Sequence, residues 1–189
     1  MKLATALFAT ILSAGTLFAG TYNVDLDHSN VAFKVRHMMI SNVTGEFNKF
    51  SGTFDYDEQT KMLKSLNGKV DVSSIDTDNV KRDNHLKSVD FFDVATYPSM
   101  QLTLVNVEGD TATVQLTMHG VTKEVKMELE TSGVVIKDPW GNMRTGLTLS
   151  GKINRKDFGL NWNQVIEAGG VAVGEMVKIS LEIEGILAQ

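Results

Sequence analysis

From Ser29 onward, apolar and polar residues alternate along most of the chain, the two-residue period of strands with one dry and one wet face. Ser29 to His37 sets Val31, Phe33 and Val35 against Asn30, Lys34 and Arg36. Lys64 to Val72 carries Leu66, Gly68, Val70 and Val72, and Ser99 to Val107 carries Met100, Leu102 and Leu104. Thr111 to Met118 continues with Ala112, Val114, Leu116 and Met118, and Glu124 to Glu130 with Val125, Met127 and Leu129. Met143 to Ile153 supplies Leu147, Leu149, Gly151 and Ile153, and Glu175 to Glu184 supplies Val177, Ile179, Leu181 and Ile183. Between Val43 and Tyr56 the phase slips, from Val43-Gly45-Phe47 to Phe50-Gly52-Phe54. That odd step predicts a bulge or sharp bend. The pattern amounts to about eight strands joined by turns such as Glu108-Gly109-Asp110 and Asp138-Pro139-Trp140-Gly141-Asn142.

One stretch breaks the alternation. From Thr77 to Pro98 capping residues take over, Thr77 before an acidic turn and Ser88 before Asp90 and Phe91, which predicts one or two short helices across the sheet or one of its ends. A sheet dry on one face hides it by curling on itself, which also removes its edges. The predicted fold is all-β with a short helical insertion: an eight-stranded antiparallel lipocalin-like β-barrel. Such a barrel is either filled by its own side chains or just wide enough for a slender ligand. Long strands favour an elongated tube, and small inward residues, Gly45, Gly68, Ala112 and Gly151, leave room along it. An outer-membrane barrel shows the same alternation, but Lys178, Glu182 and Glu184 crowd the polar face here, too many charges for a small lumen.

The N-terminus adds a destination. Lys2, the small and apolar run to Phe18, and Ala19-Gly20 have the three parts of a secretory leader. We expect a signal peptide over 1–19, with cleavage after Ala14 as the alternative, and one domain over 20–189. The 189-residue chain has no cysteine, so the exported domain must rely on its core rather than on disulfides. A formal charge of −5 without basic runs argues against nucleic acid as a partner, and no stable membrane insertion is expected.

Candidate chemistry is sparse. His28, His37, His85 and His119 lack metal-ligand spacing, so no metal is expected. No nucleophile elbow or phosphate loop frames a catalytic residue, and Asp25, Asp27, Asp55 and Asp57 read as solvated carboxylates. Two polar clusters stand out: Arg82-Asp83 with His85, and Arg155 with Asp157. At the end of an apolar tube they could hold a lid shut or meet a polar head group.

Five fragments in order carry a family resemblance. They are Asp27-His28-Ser29 with Val31, Phe33, Val35 and His37; Val43, Gly45, Phe47, Phe50 and Gly52; Ser74-Ile75-Asp76-Thr77 through Arg82-Asp83, His85-Leu86, Asp90-Phe91-Phe92-Asp93 and Tyr97-Pro98; Leu116-Thr117 with His119-Gly120-Val121-Thr122; and Arg155, Asp157-Phe158-Gly159. Over essentially the whole mature chain the sequence resembles the YceI family of bacterial periplasmic proteins. The resemblance implies a capped eight-stranded barrel, a tunnel for polyisoprenoid lipids with quinone or polyprenyl-phosphate tails among them, a homodimer and no established reaction. The expected tunnel lining is Val31, Phe33, Val35, Phe47, Leu66, Val70, Met100, Leu102, Leu104, Val114, Leu116, Leu147, Leu149, Ile179 and Leu181. Arg82, Asp83, His85, Arg155 and Asp157 are the candidates for its polar end. No cofactor is expected beyond the bound lipid. The alternative is an enzyme acting on a bound quinone or prenyl substrate through Arg82, Asp83, His85 or His119.

Overall fold

The structure, a computed structural model, describes residues 19–166 and 170–189. The expected leader and both of its cleavage points lie outside the described residues except for the backbone of Ala19, which opens the first strand. In chain order the strands are β1 (Ala19–Val24), β2 (Asn30–His37), β3 (Ser41–Phe47), β4 (Phe50–Asp57), β5 (Met62–Asp71), β6 (Ile75–Asp76), β7 (Ser99–Glu108), β8 (Thr111–Met118), β9 (Val121–Thr131), β10 (Ile136–Lys137), β11 (Met143–Asn154) and β12 (Val173–Leu187). Helix α1 (Val80–Lys87) lies between β6 and β7.

These segments make eight staves. β1 and β2 are one strand interrupted by the turn at Leu26–His28, and both run along one edge of β12. β3 and β4 are likewise one strand broken at Asn48-Lys49, pairing with β2 and β1 in turn. The phase slip in the sequence falls on that break, where the amides of Asn48 and Lys49 bond to the carbonyl and hydroxyl of Ser74. β4 pairs with β5, β5 with β7, β7 with β8, β8 with β9, and β9 with β11, all antiparallel. β11 then pairs with β12 from Asn154↔Met176 to Arg144↔Ile186 and closes the ring. β6 continues past β5 to pair with β3, and the segment around α1 follows it.

The insertion is simpler than its capping residues predict. The cap of α1 is Asn79, whose side chain accepts from the Arg82 amide at 3.0 Å, and Ser88 ends the helix rather than starting a second one. Residues 88–97 form turns instead, with the amides of Phe91 and Asp93 bonded back to the Ser88 carbonyl. Thr77 is buried and bonds to the Asp83 carboxylate.

One half of the barrel is full. Tyr22 stacks on Phe54, ring centroids 5.3 Å apart, and Tyr56, Leu63, Ala112, Val114, Met127, Leu129, Leu147 and Leu149 pack with them. Gly185 makes the plug feasible: a β-carbon there would lie 2.5 Å from Phe54 Cε1. The Tyr56 hydroxyl is buried without a hydrogen-bond partner among the described residues, a condition that costs about 1–3 kcal/mol. Tyr56→Phe should therefore raise the unfolding free energy by about 1 kcal/mol, read as a small rise in Tm. A second cluster, including Phe47, Val72, Ile75, Met100, Leu116, Met118, Phe158 and Leu160, lines the other half, and that half is hollow.

Candidate functional site

The hollow follows from side-chain size. Toward the plug the inward positions carry aromatic, leucine and methionine side chains. Beyond it Val31, Gly68, Val70, Val177 and Ile179 supply shorter or absent side chains that leave space between the larger ones. The result is an apolar cavity of about 170 Å³. Leu66, Leu102 and Ile183 belong both to the packed cluster and to the lining, so they form its floor. Gly68 is the clearest contributor, since a β-carbon there would meet nothing within 4 Å. The other small residues do not leave room. The Phe33 ring fills the place over Gly45, Ala112 is buried among the packed residues, and Met127 Cγ lies 3.3 Å from a β-carbon on Gly151.

Beside the cavity lies a vestibule of about 720 Å³, with Phe33, Val35, Leu86, Phe91 and Val173 as common wall. The helical insertion builds one side of it: His85 meets both Phe91 and Trp162 edge-on, with centroids 5.0 and 4.8 Å away. Arg36, His37, Arg82 and Gln164 complete its polar lining. Arg82 is oriented by Thr77, donating through Nε to the hydroxyl at 2.7 Å and through a terminal nitrogen to the carbonyl at 2.6 Å. His85 Nε2 lies 3.0 Å from the Asp90 carboxylate. A dry cavity of roughly 150 Å³ admits a molecule the size of benzene. The cavity thus matches a short apolar segment, and a longer chain would have to extend past the shared wall into the vestibule.

Eleven of the residues expected to line a tunnel surround this cavity: Val31, Phe33, Val35, Phe47, Leu66, Val70, Met100, Leu102, Leu116, Ile179 and Leu181. The structure puts Leu104, Val114, Leu147 and Leu149 elsewhere. They face inward but pack around the plug, because alternation marks a side chain as inward without saying how full the barrel is at that level. Of the polar candidates, Arg82 and His85 line the vestibule. Asp83 is buried against Thr77, accepting from its amide and hydroxyl, and Asp157 is exposed. Arg155 lines the inner cavity, yet its guanidinium is not paired with Asp157: it donates to the carbonyls of Gly174 at 3.0 Å, of Leu160, and of Val173 at 3.4 Å. Burial pushes its pKa down, partly offset by Glu175, and its role is to tie the 155–160 turn to the start of β12. His119 bonds the Phe158 carbonyl and packs on Tyr97, again holding that turn. Leu86, Phe91, Phe92 and Trp162 were missed. For Leu86, Phe91 and Phe92 the signal was an apolar set inside an otherwise polar insertion; Trp162, in the segment after Phe158, had no such signal.

A separate cluster lies at the closed end. Arg144 donates to Asp25 and Glu184 at 2.6 Å and to Asp138 at 2.7 Å, joining the first turn, the β10–β11 hairpin and β12. Asp25, His28 and Glu184 also have ligand atoms within 4.8 Å of one another, but the guanidinium already supplies the cation. The Arg144 bond holds the Asp25 carboxyl below the usual range against opposing burial, helped by His28. At Asp138 burial raises the pKa, and Arg144 with Asn142 outweighs it, leaving that carboxyl low as well. Carboxyls held low in the folded state stabilise it above the ordinary carboxylate range, near pH 4, and that contribution is lost as pH falls through the folded values. Without the guanidinium the same carboxylates repel. Arg144→Gln is expected to lower Tm at neutral pH and to narrow the gap as the buffer is acidified below about pH 4. A Tm-against-pH series checks this, and parallel curves for the two proteins would contradict it.

Comparisons with known proteins agree with this architecture. The YceI-like domain pattern matches residues 22–185. A UPF0312 protein of Staphylococcus epidermidis is 36% identical over 163 residues, covering 86% of this chain and 95% of the relative. Protein YceI of Escherichia coli O157:H7 is 38% identical over 160 residues, covering 81% and 83%. The crystal structure of a Campylobacter jejuni YCEI protein superposes with a TM-score of 0.69 at 30% identity, over 82% of this chain and 90% of that one. A polyisoprenoid binding domain from Saccharophagus degradans shares the fold at 17% identity, TM-score 0.65, over 88% and 98%.

Proposed function

Because this chain belongs to the YceI-like domain family, we propose that it is a binding protein that encloses the tail of a long-chain isoprenoid lipid of the quinone or polyprenyl-phosphate type. The observation that carries this reading is the half-filled barrel, with an apolar cavity walled by Val31, Phe33, Val70, Val177 and Ile179 that shares a wall with a vestibule bearing Arg36, Arg82 and His85. Each buried CH₂ group contributes about 0.8 kcal/mol, so a prenyl tail can be held without directional contacts. The polar head then rests in the vestibule. The Saccharophagus degradans neighbour, named for polyisoprenoid binding, supports the ligand class. On this reading the chain carries its ligand rather than transforming it. Export to the periplasm and a homodimeric state belong to the same reading, and rest on the leader pattern of residues 1–19 and on the family resemblance.

The test is to purify the protein from a host that makes isoprenoids, extract it with organic solvent and identify the extract by mass spectrometry. An isoprenoid lipid near one per chain is expected. An extract without isoprenoid, from protein that also fails to take up an added prenyl lipid, would overturn the reading.

A further inference from the structure

The β2–β3 turn and Val165 stand at the rim of the vestibule with apolar side chains outward. In the β2–β3 connection Met38, Met39 and Ile40 are 39%, 57% and 79% exposed. Beside it, in the segment between Trp162 and β12, Val165 is 79% exposed and pairs with Val171. The Met38 amide donates to the Ala172 carbonyl at 2.9 Å, and a β-carbon on Gly170 would sit 3.4 Å from Met39 Cγ. The β2–β3 turn and the described residues beside it therefore form one rim. Met38, Val165, Ile166 and Ala172 are also walls of the vestibule, so the apolar surface of the rim leads into the site.

The backbone of the first turn is unusual for its residues. Met38 and Met39 have φ of 48° and 63°, the left-handed region that disfavours large side chains, and the Ile40 amide closes the turn on the His37 carbonyl at 3.1 Å. Two successive left-handed residues are the pattern that Asn-Gly satisfies best. Here two long, flexible, apolar side chains occupy it instead, exposed and outside both core clusters. Strain held in place to present a side chain points to a function for that side chain. Just below, Arg36 donates through two nitrogens to the Met39 carbonyl at 3.1 and 2.9 Å, which sets a cation behind the apolar tip.

We propose that this rim is a docking site for a phospholipid surface: Met39, Ile40 and Val165 enter the boundary between head groups and acyl chains, and Arg36 remains at the level of the phosphates. Apolar tips with a basic residue behind them match the layering of that interface. Docking there brings the mouth of the cavity against the acyl region, so an apolar chain passes into the barrel without crossing water. This rests on the reading that the cavity takes such a chain. With a formal net charge of −5, attraction to anionic lipid is not the driving force. Apolar burial is, and it operates on zwitterionic lipid and persists at high salt.

Flotation with phosphatidylcholine vesicles tests the proposal, using the full chain and the double variant Met39→Gly, Ile40→Thr, neither position being part of the vestibule wall. Glycine suits the left-handed backbone at Met39 and Ile40 is exposed, so the Tm should be unchanged or higher. The wild type is expected to float with the vesicles at low and high salt, and the variant to bind about tenfold more weakly while taking up a fluorescent farnesol analogue from solution as well as the wild type does. Failure of the wild type to float, equal flotation of the two proteins, or binding that vanishes with salt would each overturn the docking site. So would a wild-type dimer that the variant dissociates without any vesicle binding, since the rim would then seat a second copy. Rim-dependent flotation by a protein that takes up no farnesol analogue would leave the docking site standing and overturn the cavity reading alone.

Discussion

Replacing Gly68 with phenylalanine is expected to abolish retention of a prenyl tail while leaving the barrel folded. Gly68 sits in β5, in register with Gly52 on one side and Leu102 on the other, and the space above it is empty. Its backbone carries no left-handed constraint, so a side chain can be added without strain at the main chain. A phenyl ring there occupies the tube. Displacing as few as four CH₂ groups from apolar surroundings costs about 3 kcal/mol, roughly a hundredfold in affinity. Filling the void and removing glycine's freedom from the unfolded chain both favour folding, so Tm should hold or rise. Titration with a fluorescent prenyl probe beside a thermal melt gives both readings. Undiminished affinity in a folded Gly68→Phe protein would mean that the tail does not use this cavity. An arginine at Leu102 is a poorer instrument, because Leu102 is 8% exposed and packs into the floor, where a charge threatens folding itself.

The second large effect concerns the plug. Phe54→Ala should destabilise the fold by about 3–5 kcal/mol, the usual cost of truncating a buried aromatic residue. Phe54 is 1% exposed, stacks on Tyr22 and fills the space left by Gly185, so little can collapse into its place. Denaturant unfolding should show a lower midpoint at unchanged slope. A loss below about 1 kcal/mol would mean that the neighbouring side chains do close the gap. Gly185→Ala attacks the same contact from the other side and should destabilise in the same direction.

The outline of the barrel was legible because alternation depends only on which face is dry. The broken stave at Asn48-Lys49 was legible too, as a slip in that alternation. The first strand escaped notice: Tyr22 and Val24 are a short run beside the leader, though Tyr22 is a centrepiece of the plug. What alternation cannot record is volume. Val114 and Ile179 look alike along the chain, yet one is fully buried beside Met127 and Leu129 and the other faces the cavity. That difference depends on which side chains from other staves reach the same level. The polar groups were harder still. Arg155 next to Asp157 reads as an ion pair, but the short turn containing both points Arg155 inward to carbonyls. Arg144 drew no notice because its partners Asp25 and Glu184 lie 119 and 40 residues away, a proximity that only closure of the barrel creates.

The central claim is that the hollow half of the barrel, and not the filled half or the outer surface, encloses an apolar chain. A photoactivatable prenyl alcohol bearing its reactive group near the tail end tests this most directly, with peptide mass spectrometry locating the adducts. Saturable labelling of Val70, Met100, Val177 or Ile179, lost in Gly68→Phe, is the predicted result. Adducts confined to outward-facing residues, or labelling that Gly68→Phe leaves unchanged, would contradict it.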